Sequence, residues 1–141
     1  MVKQHNIKLN IQNNTSFTMT YHSDYFESGR LADSFSWPKV INTSGQDTVL
    51  CYERDWSFAG CSGFVQFNMN GSVVTIAFSN PLVGCNKLNV GAGYNGIAVW
   101  EEMSNHDYQE FKINLKVGEV PITATCKCSF DTTNNASVIF H

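Results

Sequence analysis

The chain has 141 residues, the usual size of one folding unit, and 43% are hydrophobic against 15% charged, so it can build a core and is not a disordered tail. A net charge of −3 and a pI near 5.7 argue against a nucleic-acid partner, which needs a basic face to neutralise phosphates. No Lys/Arg cluster stands along the chain, so attraction to anionic lipid by charge alone is not expected, and no run reaches the roughly 18 apolar residues of a membrane-spanning helix.

The first six residues, Met1-Val2-Lys3-Gln4-His5-Asn6, lack the apolar centre of a secretion signal. The expectation is a protein that is cytoplasmic in its producer or released without a signal. Ile7, Leu9 and Ile11 then alternate with Lys8, Asn10 and Gln12, the period of a half-buried strand. Asn13-Asn14-Thr15-Ser16 turns the chain, and Phe17, Met19 and Tyr21 resume the alternation. An irregular stretch follows, with Tyr25 and Phe26 in an acidic turn, then Ser28-Gly29-Arg30 and Ser36-Trp37-Pro38. A further strand is expected through Thr48 to Tyr52.

Gly63 to Phe78 reads as a β-hairpin. Val65, Phe67 and Met69 alternate with Gln66 and Asn68, Asn70-Gly71 tolerates the positive φ of a two-residue turn, and Val73 to Phe78 continues as a β-branched strand. That second strand is apolar on both faces and is therefore expected at the centre of a sheet. After Ser79-Asn80-Pro81 comes a glycine-rich stretch (Gly84, Gly91, Gly93, Gly96), then an expected strand from Ile97 to Trp100. Glu101 to Gln109 is the one segment with room for a short helix. Phe111 to Val117 alternates cleanly, Gly118-Glu119 turns, and strands over Val120 to Phe130 and Ala136 to Phe140 close the chain. About eight strands at regular spacing, with no repeat or linker, predict an all-β, single-domain antiparallel sandwich or barrel over residues 1–141.

Little in the sequence points to catalysis or metal binding. His5, His22, His106 and His141 are scattered, and Cys126-Lys127-Cys128 lacks the spacing of a zinc knuckle or redox motif. Gly91-Ala92-Gly93 opens like a dinucleotide loop but no long helix follows it. Glu101-Glu102 and the pair Glu53 with Asp55 read as solvated surface. Five cysteines are an odd number, so reduced and mostly buried thiols are expected, with a Cys51–Cys61 bridge open in an oxidising environment. Asn-x-Ser/Thr sequons at Asn13, Asn14, Asn42, Asn70 and Asn135 read as turn composition. No enzyme activity, cofactor or metal is therefore expected.

The aromatic residues carry more. They make up 13% of the chain and several stand in expected loops: Trp37, Trp56, Phe58 and, in the glycine-rich stretch, Tyr94. Such side chains either fold back to plug the open ends of a sandwich or gather at one end to enter a lipid interface, where Trp and Tyr are favoured.

Residues 7–13 (Ile-Lys-Leu-Asn-Ile-Gln-Asn), Ser28-Gly29-Arg30 and Gly60-Cys61-Ser62-Gly63-Phe64 resemble the opening and the central turn of aegerolysins. The run Val74 to Lys87, containing Phe78-Ser79-Asn80-Pro81 and Gly84-Cys85-Asn86-Lys87, is similar to the Phe-x-Asn-Pro-x-x-Gly-x-Asn-Lys segment of the small aegerolysin-like component of binary insecticidal proteins. Its Phe78-Ser79 and Pro81 are also similar to the Phe-Ser-x-Pro of actinoporins. The resemblance covers about two-thirds of the chain and implies a β-sandwich that binds membrane lipid and forms pores alone or with a larger partner. It places Ser79 and Pro81 in a headgroup pocket. Two features depart from actinoporins: no amphipathic helix precedes the first strand, and Leu82-Val83-Gly84-Cys85 replaces the loop aromatics after the proline.

The function expected is therefore a membrane-binding, pore-forming toxin component, insecticidal and paired with a second toxin protein. Its target would be a cell-membrane lipid or surface receptor, contacted by Ser79, Pro81, Trp56, Phe58, Trp37 and Tyr94. Low charge and many strand edges make a homo-oligomer plausible. The alternative is a lectin-like module whose aromatic and amide side chains hold surface glycans without damage to the bilayer.

Overall fold

The computed structural model describes residues 5–141. Residues 1–4, part of the stretch read for a secretion signal, lie outside the described residues. The described residues form eleven strands: β1 (Asn6–Asn13), β2 (Met19–Ser28), β3 (Arg30–Leu31), β4 (Val40–Ile41), β5 (Gly45–Tyr52), β6 (Gly60–Met69), β7 (Ser72–Pro81), β8 (Lys87–Ala92), β9 (Phe111–Val117), β10 (Val120–Lys127) and β11 (Thr133–Phe140). They stack as two sheets, β3-β5-β1-β11-β10-β9 and β4-β2-β6-β7-β8, an all-β sandwich as expected. The count exceeds the expected eight because β3 and β4 are two-residue pieces and β8 lies in the glycine-rich stretch. Neighbouring strands run antiparallel except β1 and β11, which pair parallel.

Alternation builds the core. Ile7, Leu9 and Ile11 of β1 and Ala136, Val138 and Phe140 of β11 point inward and are essentially fully buried. They meet Val65, Phe67, Met69, Val74, Ile76 and Phe78 from the facing sheet. Burying one such side chain contributes about 1.5–3 kcal/mol, so this layer dominates stability. Strand β7 is buried along nearly its whole length because the core covers one face and a helix the other. The hairpin turn is as expected, with Asn70 at φ 49° and Gly71 at φ 80°.

Four expectations change. Ile97 to Trp100 is not a strand: it belongs to a helix, α1 (Gly96–Glu101), and Glu101 to Gln109 holds only a one-turn segment at His106–Tyr108. Asn95 starts the helix by accepting the Ala98 N–H at 3.1 Å. A local cap and tight packing thus outweigh the β preference of Ile and Val: a Cβ at Gly96 would sit 2.4 Å from the Phe64 ring. The glycine-rich stretch contains β8, whose Leu88 and Val90 alternate into the core. Gly91 is required there because Val99 of the helix approaches the site of its missing Cβ to 2.7 Å. Tyr25 and Phe26 belong to β2, not to a turn; two register shifts in its pairing with β6 let polar and aromatic residues share the strand.

Candidate functional site

One end of the sandwich gathers the start of β1, the loops 53–59, 82–86 and 128–132, and the turn at His106–Tyr108. Loop 53–59 is folded tightly on itself. Ser57 donates through both its N–H and its hydroxyl to the Arg54 carbonyl, at 3.2 and 3.0 Å. Trp56 and Phe58 both take positive φ, 62° and 52°, which side chains other than Gly seldom adopt. They stand out into solvent, 78% and 70% exposed. The loop abuts its neighbour closely: Gly60, at φ 75°, leaves no room for a Cβ between itself and the Asn80 carbonyl and Leu82 N–H, both 2.7 Å away.

Loop 82–86 presents Val83, 87% exposed, and Leu82, 45% exposed, and loop 128–132 presents Phe130, 75% exposed, against the Tyr108 ring at 5.3 Å. Large apolar side chains left in water on three adjoining loops are not explained by packing. Buried asparagines hold loops 82–86 and 128–132 and the strand ends beside them. Asn80 donates to the carbonyls of Asn6 (2.8 Å) and Thr132 (2.7 Å), and Asn86 to those of Ser129 (2.6 Å) and Asp131 (2.9 Å). Asn134 donates to the carbonyls of Ser79 (3.0 Å) and Lys87 (3.3 Å) while its oxygen accepts the Ser129 N–H. Each amide thus satisfies carbonyls that irregular backbone would otherwise leave unpaired. The segment read as a membrane-binding motif therefore includes two structural clamps, Asn80 and Asn86.

Two cavities flank loop 82–86 and share Pro81 and Gly84. One, of about 270 Å³, lies toward Asn86, Cys85, Tyr108 and Phe130. The other, of about 320 Å³, is lined by Ser62, Ser79, Lys87, Trp100 and Glu101. In it the Trp100 indole donates to the Ser62 hydroxyl at 2.7 Å, which fixes one wall. A cation and a carboxylate face the same space, so the cavity offers both signs of charge. Across the loop, the exposed Cys85 thiol is more acidic than usual because Tyr108 and Asn105 hydrogen-bond it and Lys87 stands near. Tyr108 is raised in return.

The structure brings Ser79, Pro81, Trp56 and Phe58 to this end, with Ser79 buried on the cavity floor. Trp37 is not part of it: it is only 7% exposed and lies in the core, 6.4 Å from the Phe26 ring and 5.8 Å from Phe78. Its ring folds inward, one of the two roles open to such residues. Tyr94 is 74% exposed but sits toward the opposite, Asn70-Gly71 end of the strands, beside His22 at 5.8 Å. Sequence reasoning missed Val83, Phe130, Lys87 and Trp100. The turn-rich Ser129 to Asn135 was the available signal that Phe130 leaves its strand. All five cysteines are free thiols. Cys51 and Cys61 face each other across the sheets as hydrogen-bonded thiols, and that contact with burial pushes Cys51 far up. Among the described residues no group of three His, Cys, Asp or Glu is placed to hold a metal.

No family model and no curated protein sequence matches the chain. Solved structures do. The lipid binding protein Nakanori superposes with a TM-score of 0.79 at 11% identity, over 99% of this chain and 72% of that one. IP-1A from Alcaligenes faecalis gives 0.57 at 10% identity, over 98% and 92%. The Xerocomus chrysenteron lectin XCL gives 0.57 at 12%, over 98% of each chain. At these identities the likeness establishes a common sandwich fold.

Proposed function

We propose that this protein binds membrane lipid through the loop end of its sandwich. The observation that carries the reading is the set Trp56, Phe58, Val83 and Phe130, between 70% and 87% exposed, displayed by three adjoining loops, one closed by Ser57 on the Arg54 carbonyl and two held by buried asparagines. Rigid aromatic side chains at one end of a domain suit the lipid interface, and pre-ordered loops lose little entropy on docking. Each aromatic offers about 150–250 Å². At about 25 cal/mol/Å² that is an upper bound of ~4–6 kcal/mol apiece, enough to hold a weakly acidic protein without a basic patch. Behind them the Ser79 cavity, with Lys87 and Glu101 on its walls, suits a headgroup carrying both charges. A lipid binding protein shares the fold.

The finer reading is a pore-forming toxin component, insecticidal and acting with a larger second protein. It rests on the resemblance of Val74 to Lys87 to the small components of binary insecticidal proteins. Among the described residues no helix is long and apolar enough to cross a membrane. By the same resemblance, the reading gives much of the pore to the partner. It assigns this chain docking and no catalysis. Co-sedimentation with liposomes of target-gut lipid, together with dye release, tests it. Binding without leakage by this chain alone, and leakage only with a second protein, is expected; no binding to any liposome refutes it.

A lectin-like reading is favoured by one observation, Tyr94 standing exposed beside His22 on a polar face, and a lectin shares the fold. Displacement from cells by a free sugar, with no binding to protein-free liposomes, would select it.

A further inference from the structure

Lysines dispersed in the sequence converge on the outward face of the β3-β5-β1-β11-β10-β9 sheet. Lys8 of β1 stands opposite Asn135, Asn10 opposite Ser137 and, across it, Lys127, and Gln12 opposite Ile139. Ile139 in turn faces Thr125, which faces Lys112; Thr123 faces Asn114, and Pro121 faces Lys116. Lys8, Lys127, Lys112 and Lys116 therefore descend diagonally across β1, β10 and β9. With strands about 4.8 Å apart and a rise of about 3.3 Å per residue, the stripe runs roughly 30 Å. All four side chains are exposed, and none takes part in an ion pair among the described residues.

Strands β1, β9, β10 and β11 contain no Asp or Glu. In β5 the one acid, Asp47, is half-buried opposite the inward Ile11 and accepts the Thr48 N–H. Glu110 and Glu119 lie in the turns flanking β9. The face thus carries four positive charges on a chain of net −3. Between the lysines stand short hydroxyl and amide groups, and Lys8, Asn10, Thr48, Asn135 and Ser137 line a shallow cavity of about 320 Å³.

We propose that this face binds a linear anionic polysaccharide, sulfated or bearing uronic acids, along the lysine stripe. Charge complementarity requires a polyanion, and the hydroxyl and amide rows match a polymer of hydroxyls better than stacked bases, for which the stripe carries no exposed Phe, Tyr or Trp. The guanidinium on this face, Arg30 of β3, lies off the stripe, over the Tyr52 ring and paired with Asp33. The choice of polysaccharide over an anionic bilayer rests on the lipid-binding reading of the loop end. That end lies at the tips of the strands, so a docked molecule stands its sheet face away from the bilayer, toward chains displayed on the surface.

The test measures retention on immobilised heparin and dextran sulfate without lipid. Wild type is expected to bind at low ionic strength and release as salt screens the contacts. Replacing Lys8, Lys112, Lys116 and Lys127 together by Gln should weaken binding roughly tenfold or more, since exposed charges contribute modestly but sum along a polymer. Lys127→Gln should weaken it more than Lys39→Gln, a loss of equal charge outside the stripe. Trp56→Ala/Phe58→Ala should retain the polysaccharide, which separates this inference from the lipid reading. Exposed strand positions tolerate Gln, and unchanged melting confirms folding. The proposal is overturned if wild type flows through at low salt or if Lys39→Gln matches Lys127→Gln. It is equally overturned if the fourfold variant keeps the polysaccharide and loses phosphatidylserine vesicles.

Discussion

Replacing Asn86 by Ala isolates the energetic worth of a loop clamp. The side chain is 5% exposed and its amide donates two short hydrogen bonds, to Ser129 and Asp131 carbonyls. Removing it leaves two acceptors without those donors, at about 1–3 kcal/mol each when buried. The cavity beside Asn86 lets water reach part of this space, which favours the lower end, about 2–3 kcal/mol in total. Unfolding entropy near ~2.1 cal/mol/K per residue gives about 0.3 kcal/mol/K for this chain, so Tm should fall by roughly 7–10 °C. Circular dichroism melts with calorimetric enthalpy measure this, and hydrogen exchange should quicken first in residues 128–132. Asn86→Asp adds a sign test. Its carboxylate would face two carbonyls, so its pKa rises in the folded state, and the variant should lose stability as pH climbs above about 4. A Tm within 2 °C of wild type for Asn86→Ala would refute the clamp.

Other outcomes follow from single contacts. Cys85 is the exposed thiol with depressed pKa, so alkylating reagents should modify it alone in the native state, at lower pH than a free cysteine, and Tyr108→Phe should move that profile upward. Mass spectrometry after timed labelling reads both; fast modification of Cys51 or Cys126 would contradict the burial that raises them. Tyr21 is raised to about 12 by burial first and then by its hydrogen bond to Asp24. The unfolded chain ionises near 10 while the folded one holds the proton, so this contribution is whole below pH 10 and lost between about 10 and 12. Tyr21→Phe should flatten that part of the stability profile. Gly63→Ala would put a Cβ 2.1 Å from the Tyr25 carbonyl oxygen, separating β2 from β6, and should cost about 3 kcal/mol or abolish folding in denaturant titrations.

Period-two alternation made most strands legible, because one buried face constrains every second residue, as in Ile7-Leu9-Ile11 and in Ile122-Ala124-Cys126. Asn70-Gly71 located its turn for an equally local reason. Failures came where distant residues decide. Ile97 to Trp100 has strand composition, yet Phe64 and Val99 packing on Gly96 and Gly91 makes a helix fit there. Asn80 and Asn86 stood in the sequence only as members of a motif-like run and Asn134 carried no signal, yet all three are buried clamps, because the carbonyls they serve lie 43–74 residues away along the chain. Trp56 and Phe58 were legible as loop aromatics, whereas Trp37, similar in sequence, points inward. The lysine stripe was invisible, since its members come together only through the β1–β11–β10–β9 register.

Co-sedimentation of wild type and Trp56→Ala/Phe58→Ala with target-gut lipid vesicles tests the central claim most directly. Both side chains are more than two-thirds exposed, so the double change should leave Tm unchanged. Losing even half of their transferable area should weaken partitioning by about 3 kcal/mol or more, over a hundredfold. Binding by wild type and its loss in the variant is the predicted result. Equal binding of the two proteins would contradict docking through this end.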